Sequence, residues 1–115
     1  MTHPDYLLLS EAQFTGQIRE LAALLGWARY HTWLSKHSTA GFPDEVLVRP
    51  PRVVYAELKG EKGRVTPAQA EWLTLLSLCG VEVYLWRPSM LEEIVAHLKQ
   101  LERPALPGPG AWQGQ

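Results

Sequence analysis

Residues 41–59 read GFPDEVLVRPPRVVYAELK, two strand-like runs joined by a pair of prolines. Residues 45–49 and 53–59 are rich in β-branched and apolar side chains. The Pro50-Pro51-Arg52 link between them is too short for anything but an antiparallel hairpin. Folded about Pro51, such a hairpin pairs residues whose numbers sum to roughly twice fifty-one, which sets Asp44 opposite the region of Glu57 and Leu58. Because side chains alternate along a strand, Glu57 and Lys59 project from one face while Leu58 points to the other, toward a core. Two acids and an amine are thus expected to meet at one edge of the sheet.

Outward from the hairpin, the chain alternates between helical and extended patterns. Residues 10–26 place Phe14, Ile18, Leu21, Leu24 and Leu25 at helical spacing, with Ser10 and Gln13 in capping-box positions and Gly26 as a stop. Residues 27–33 are aromatic-rich and predict a short strand, and residues 35–41 a polar loop. After a turn at residues 60–63, Thr66-Pro67-Ala68-Gln69 supplies an N-cap, a proline at the first helical position and a glutamine at the third. The helix it opens is expected to run to about Cys79 and stop at Gly80, with Leu73 and Leu76 on its apolar face. Cys79 itself reads as a small buried core residue. Residues 81–86 alternate apolar with polar and predict a strand, and Pro88-Ser89 with Glu92 opens a last helix through about Glu102. The order helix, three strands, helix, strand, helix predicts an α/β fold with a mixed sheet, the last strand returning parallel to an earlier one. The expected organisation is an extension over residues 1–9, one domain over residues 10–103, and a flexible Pro/Gly-rich tail over residues 104–115.

The chain has 115 residues, 46% hydrophobic and 20% charged, values typical of one globular domain. A formal net charge of −1 argues against a purely electrostatic nucleic-acid binder, yet residues 29–64 carry Arg29, Lys36, Arg49, Arg52, Lys59, Lys62 and Arg64 against Asp44, Glu45, Glu57 and Glu61. That excess is either a mixed solvated surface or a phosphate-tracking face. One cysteine excludes a disulfide framework and a thiolate cage. His3, His31, His37 and His97 lack zinc-ligand spacing, and Gly60 and Gly63 lack the context of a nucleotide-binding loop, so neither zinc nor a nucleotide cofactor is expected. With no apolar run long enough to span a bilayer, no membrane association is expected and the default location is cytoplasmic.

Neighbouring carboxylates repel, and a fold avoids the juxtaposition unless one acid keeps its proton or a cation fills the gap. Oxygen-only ligands favour a hard ion, and Mg²⁺ retains waters while bridging carboxylates to a substrate phosphate. Asp44, Glu57 and the Leu58 backbone carbonyl form a plausible partial shell for metal-dependent phosphodiester cleavage. Lys59 suits electrostatic support better than base chemistry, which would need its pKa lowered by several units from about 10.4. The competing reading is an exposed hairpin end with an ordinary Glu-Lys pair.

Gly41-Phe42-Pro43-Asp44, Glu57-Leu58-Lys59, the Gly-Glu-Lys-Gly-Arg turn over residues 60–64, Thr66-Pro67-Ala68-Gln69, and GVEVYLWR over residues 80–87 together resemble the virus-type replication-repair nuclease (VRR-NUC) family of the PD-(D/E)xK superfamily. The resemblance spans about residues 10–100 and implies a restriction-endonuclease-like αβββαβα core that hydrolyses DNA with Mg²⁺, or Mn²⁺ as a substitute. It further implies a homodimer cutting branched DNA in the manner of Holliday-junction resolvases, in a bacterial or phage-infected cell. By the same resemblance, Asp44 and Glu57 are metal-binding acids, Lys59 the catalytic lysine, Gln69 an active-site glutamine and Glu11 an acid reaching the metal through water. Gln69 has a second reading as the capping-box partner of Thr66, and Glu11 as a favourable charge at a helix N-terminus. Lys36, His37, Ser38, Lys62 and Arg64 are candidate DNA contacts, with His31 a further possibility or else a structural histidine. Trp27, Trp72 and Trp86 read as core or dimer residues rather than base-stacking platforms. The alternative function is a non-cleaving nucleic-acid-binding module on the same fold.

Overall fold

The computed structural model describes residues 7–32 and 39–106. Its elements are α1 (Glu11–Leu24), β1 (Ala28–His31), β2 (Glu45–Arg49), β3 (Arg52–Leu58), α2 (Pro67–Leu78), β4 (Glu82–Trp86), a 3₁₀ turn (Pro88–Met90) and α3 (Leu91–Lys99). The four strands form one mixed sheet in the order β1-β2-β3-β4. β1, β2 and β3 pair antiparallel, and β4 lies parallel to β3.

Both long capping boxes are formed. Ser10 Oγ accepts from the Gln13 amide at 3.0 Å and Gln13 Oε1 accepts from the Ser10 amide at 2.8 Å; at α2 the Thr66–Gln69 pair repeats this at 3.2 and 2.9 Å. Two apolar layers follow from the strand alternation. On one face Leu47, Val54, Ala56, Leu58, Tyr84 and Trp86 pack beneath Phe14, Ile18 and Ala22 of α1 and Ile94 and Leu98 of α3. On the other, Val83 and Leu85 meet Leu73 and Leu76 of α2.

Several expectations are corrected. β4 does not alternate in exposure: all five of its residues are buried, as a strand pairing parallel with helices over both faces requires. Glu82 is tolerated there because Arg52 grips it with a two-armed fork at 2.9 and 2.7 Å and Tyr84 Oη donates to it at 2.9 Å. α3 ends at Lys99 rather than near Glu102, where the Arg49 and Arg52 guanidinium groups take over the carbonyls of His97 and Gln100. Cys79 is exposed rather than buried, because it caps the outer side of α2 beside the exposed Leu75 and Leu78. β1 begins at Ala28, since the Trp27 indole turns inward to donate to the Leu98 carbonyl at 2.9 Å. Finally, β3 is an interior strand, so the acids converge at the end of a central strand rather than at a sheet edge.

Candidate functional site

The GFPD segment is built to deliver one carboxylate. Gly41 has φ +94°, and a Cβ there would lie 2.5 Å from the Ala68 carbonyl carbon, so only glycine lets this strand entry press against the start of α2. Phe42 then sets its ring edge-on to Trp72 and Tyr55, at centroid distances of 5.1 and 6.1 Å. Thr32 pins the next two residues, donating from Oγ1 to the Pro43 carbonyl and from its amide to the Asp44 carbonyl, both at 2.8 Å. Asp44 is thereby held with Oδ2 accepting from the Leu58 amide at 2.9 Å.

The hairpin turns between residues 50 and 51, pairing Arg49 with Arg52 and Glu45 with Ala56. One further rung brings Asp44 to Glu57. Glu57 is 1% exposed, and its Oε1 is buried without a hydrogen-bond partner. Its Oε2 lies 3.7 Å from Lys59 Nζ, on the same side of the strand. Burial, followed by the Asp44 charge and hydrogen bonding with that carboxyl, raises the Glu57 pKa to about 8, against the partial relief of Lys59. The Glu11 charge adds a smaller push in the same direction, and the Glu11 amide is 4.0 Å from where a Cβ on Gly60 would sit. The start of α1 therefore lies over the turn that follows Lys59, with the exposed Glu11 facing the site at longer range.

Gln69 spends its side-chain oxygen on the Thr66 amide, so its capping role is formed, and its backbone nitrogen lies 2.8 Å from where a Cβ on Gly41 would sit, against the segment that carries Asp44. Lys62 and Arg64 are exposed on the loop after Lys59. Lys36, His37 and Ser38 fall outside the described residues, as does Trp33. His31 joins Arg29 in binding the buried Glu45, its Nδ1 2.6 Å from Oε2. Trp27 and Trp86 are buried, and Trp72 is half-buried against Phe42.

Three of the seven cations in residues 29–64 are occupied within the fold. Arg29 neutralises Glu45, Arg52 neutralises Glu82, and Arg49 binds the Leu25 and Gln100 carbonyls over the Trp27 ring. Among the described cations, Lys59 stands at the site, with Lys62 and Arg64 exposed on the loop that follows it. Sequence reasoning passed over Thr32, Gly41 as a contact glycine, and Arg87, whose guanidinium gathers the carbonyls of the 60–63 turn. Arg87 sits inside the quoted motif, but nothing in its neighbours along the chain points across to that turn.

Among the described residues no three His, Cys, Asp or Glu side chains form a metal-binding group. The donors on offer are two carboxylates, one with an unpartnered buried oxygen. Such a sparse, oxygen-only set fits Mg²⁺, which fills much of its shell with water and substrate oxygens, better than an ion needing a full protein cage. No helix among the described residues is long and apolar enough to cross a membrane. A family model, the VRR-NUC domain, matches residues 6–90. No curated protein and no solved structure matches the chain.

Proposed function

Because the chain belongs to the VRR-NUC domain family, we propose that it is a metal-dependent DNA endonuclease with a PD-(D/E)xK site made of Asp44, Glu57 and Lys59. The observation that carries this reading is Glu57: a buried carboxyl with an unpartnered oxygen, one rung from a second carboxylate and 3.7 Å from an ammonium group. A protein core ordinarily satisfies every such atom, and the exceptions concentrate where an ion or substrate completes the set.

Asp44 and Glu57 would hold Mg²⁺ or Mn²⁺, with the Leu58 carbonyl as a further donor and Glu11 acting through water. Bound there, the ion would offset phosphate charge and acidify the attacking water. Asp44 enters the reaction already oriented by the Leu58 amide. A cation held between the two carboxylates would favour the ionised form of Glu57 and so relieve its conflict with Asp44. Lys59 stabilises the charge that gathers on the phosphate as the P–O bond breaks. Gln69 supports the site through its side-chain amide group, and Lys62 and Arg64 hold the flanking backbone, along with Lys36, His37 and Ser38.

The substrate we assign is branched DNA of the Holliday-junction type, cut by a homodimer. A four-way junction needs two paired incisions, and two copies of one small site supply them. The test incubates purified protein with four-way, flap, single-stranded and linear duplex DNA, with and without Mg²⁺, alongside its solution mass. Metal-dependent cleavage fastest on the four-way junction is expected. Asp44→Asn and Lys59→Ala should each lower the rate by about 10²-fold or more while the variants remain folded. Binding with no cleavage of any substrate would reject the nuclease reading, and equal rates on linear duplex would reject the junction preference.

A further inference from the structure

The turn after Lys59 is tied to the segment that follows the neighbouring strand β4. Arg87 follows β4, and its Nη1 donates to the carbonyls of Gly60 at 2.8 Å, Glu61 at 3.2 Å and Gly63 at 2.7 Å. Two residues on, the Ser89 amide and hydroxyl both donate to the Glu61 carboxylate, at 3.0 and 2.7 Å. The turn closes on itself through the Gly63 amide and the Gly60 carbonyl at 3.1 Å. This places Gly63 against the lysine: a Cβ on Gly63 would sit 3.4 Å from Lys59 Cδ. A half-buried guanidinium set among three carbonyls of one short turn fixes where that turn sits relative to what lies next to it.

We propose that Arg87 is a positioning residue for Lys59, holding the 60–63 turn so that Gly63 backs the lysine stem and keeps Nζ beside Glu57. The inference rests on the reading of Lys59 as the cation of the reaction. A long, flexible amine loses rotamer freedom when it is aimed, and a backing surface fixed by one Nη1 group shared among three carbonyls keeps that cost out of the catalytic step. β3 and β4 are parallel, so the loops leaving their C-terminal ends lie side by side, and a residue on one loop can brace a residue on the other.

Full-length Arg87→Met and Arg87→Lys variants test this through two readouts. With Mg²⁺ and the best DNA substrate, Arg87→Met should lower kcat by about 10- to 100-fold with little change in KM, since a displacement of about 1 Å is enough for such a loss. Arg87→Lys, which keeps a donor for the carbonyls, should recover most of the rate. In the absence of DNA, the acylation rate of Lys59 by an amine-reactive reagent, measured by peptide mass spectrometry against the exposed Lys99, should rise severalfold in Arg87→Met. A raised KM at unchanged kcat would mark direct phosphate binding and overturn the proposal, as would an unchanged Lys59 acylation rate. If Arg87→Met does not fold, Gly63→Val crowds the same stem with the arginine in place, and an unaltered Lys59 rate there counts against the proposal too. Should the wild-type chain cleave no DNA, the nuclease reading fails, while the acylation arm still decides whether Arg87 positions Lys59.

Discussion

At the scale of single residues, Glu57 combines a structural liability with the proposed chemistry. Its pKa of about 8 lies above the ordinary carboxyl value of 4.5, so the unfolded chain ionises first as pH rises. The unfolded state then holds fewer protons than the native state. Stability associated with Glu57 is therefore complete below pH 4.5, declines between pH 4.5 and about 8, and is lost above that window. In metal-free protein, Glu57→Gln should raise unfolding stability at pH 8.5 by on the order of 2–4 kcal/mol and change it little at pH 4.5, as measured by urea denaturation with a chelator. Added Mg²⁺ should stabilise the wild type and not the variant. Gln69 separates two roles in the same way. Gln69→Glu preserves a capping-box acceptor and should keep stability within about 0.5 kcal/mol, whereas Gln69→Ala should cost about 1 kcal/mol. A rate loss shared by both variants would place the amide group in the site, and a loss confined to Gln69→Ala would assign it to the cap alone. Capping was legible from Thr66-Pro-Ala-Gln spacing because it is local, while the buried, unpartnered state of Glu57 depends on what α1 and the Asp44 segment place around it.

At the scale of elements, the decisive feature is β4, parallel to β3 and buried on both faces. Its sequence, Glu-Val-Tyr-Leu-Trp, reads as an alternating half-exposed strand, and the reading misses because the partner of Glu82 is Arg52, thirty positions earlier along the chain. Arg52 has its pKa raised, first by the hydrogen bond to Glu82. It also binds the His97 and Gln100 carbonyls at 2.7 Å each, joining β3, β4 and the end of α3. Arg52→Met should destabilise the fold by about 3–5 kcal/mol, because Glu82 is left buried and unpaired. The double variant Arg52→Met/Glu82→Leu should recover much of that loss. Equilibrium denaturation of the four species checks both statements, and a double variant no better than the single would show the carbonyl contacts to α3 to be the larger contribution. The hairpin is the opposite case: its register was readable because two prolines leave the chain a single short way to turn.

At the scale of the whole molecule, charge is partitioned by the fold rather than by the sequence. Of the cations in residues 29–64, Arg29, Arg49 and Arg52 are occupied with Glu45, Glu82 and backbone carbonyls, leaving Lys59, Lys62 and Arg64 as the described cations nearest the carboxylates. Replacing Lys62 and Arg64 together by alanine should weaken DNA binding about equally across sequences and reduce the slope of log affinity against log salt by about 1–2, as read by titration at several salt concentrations. Removing Arg29 should leave that slope unchanged and lower stability instead. The sequence alone determined what short-range physics controls: helix starts at Ser10 and Thr66, the hairpin, the alternation that puts Glu57 and Lys59 on one side, and the ordered motifs that resemble the family. The tertiary structure alone decided what each charged side chain does, because an arginine on a strand has the same local signature whether it meets a phosphate, a carboxylate thirty residues away or the carbonyls at a helix end. Only the packing of α1, α3 and β4 around the sheet distinguishes these cases.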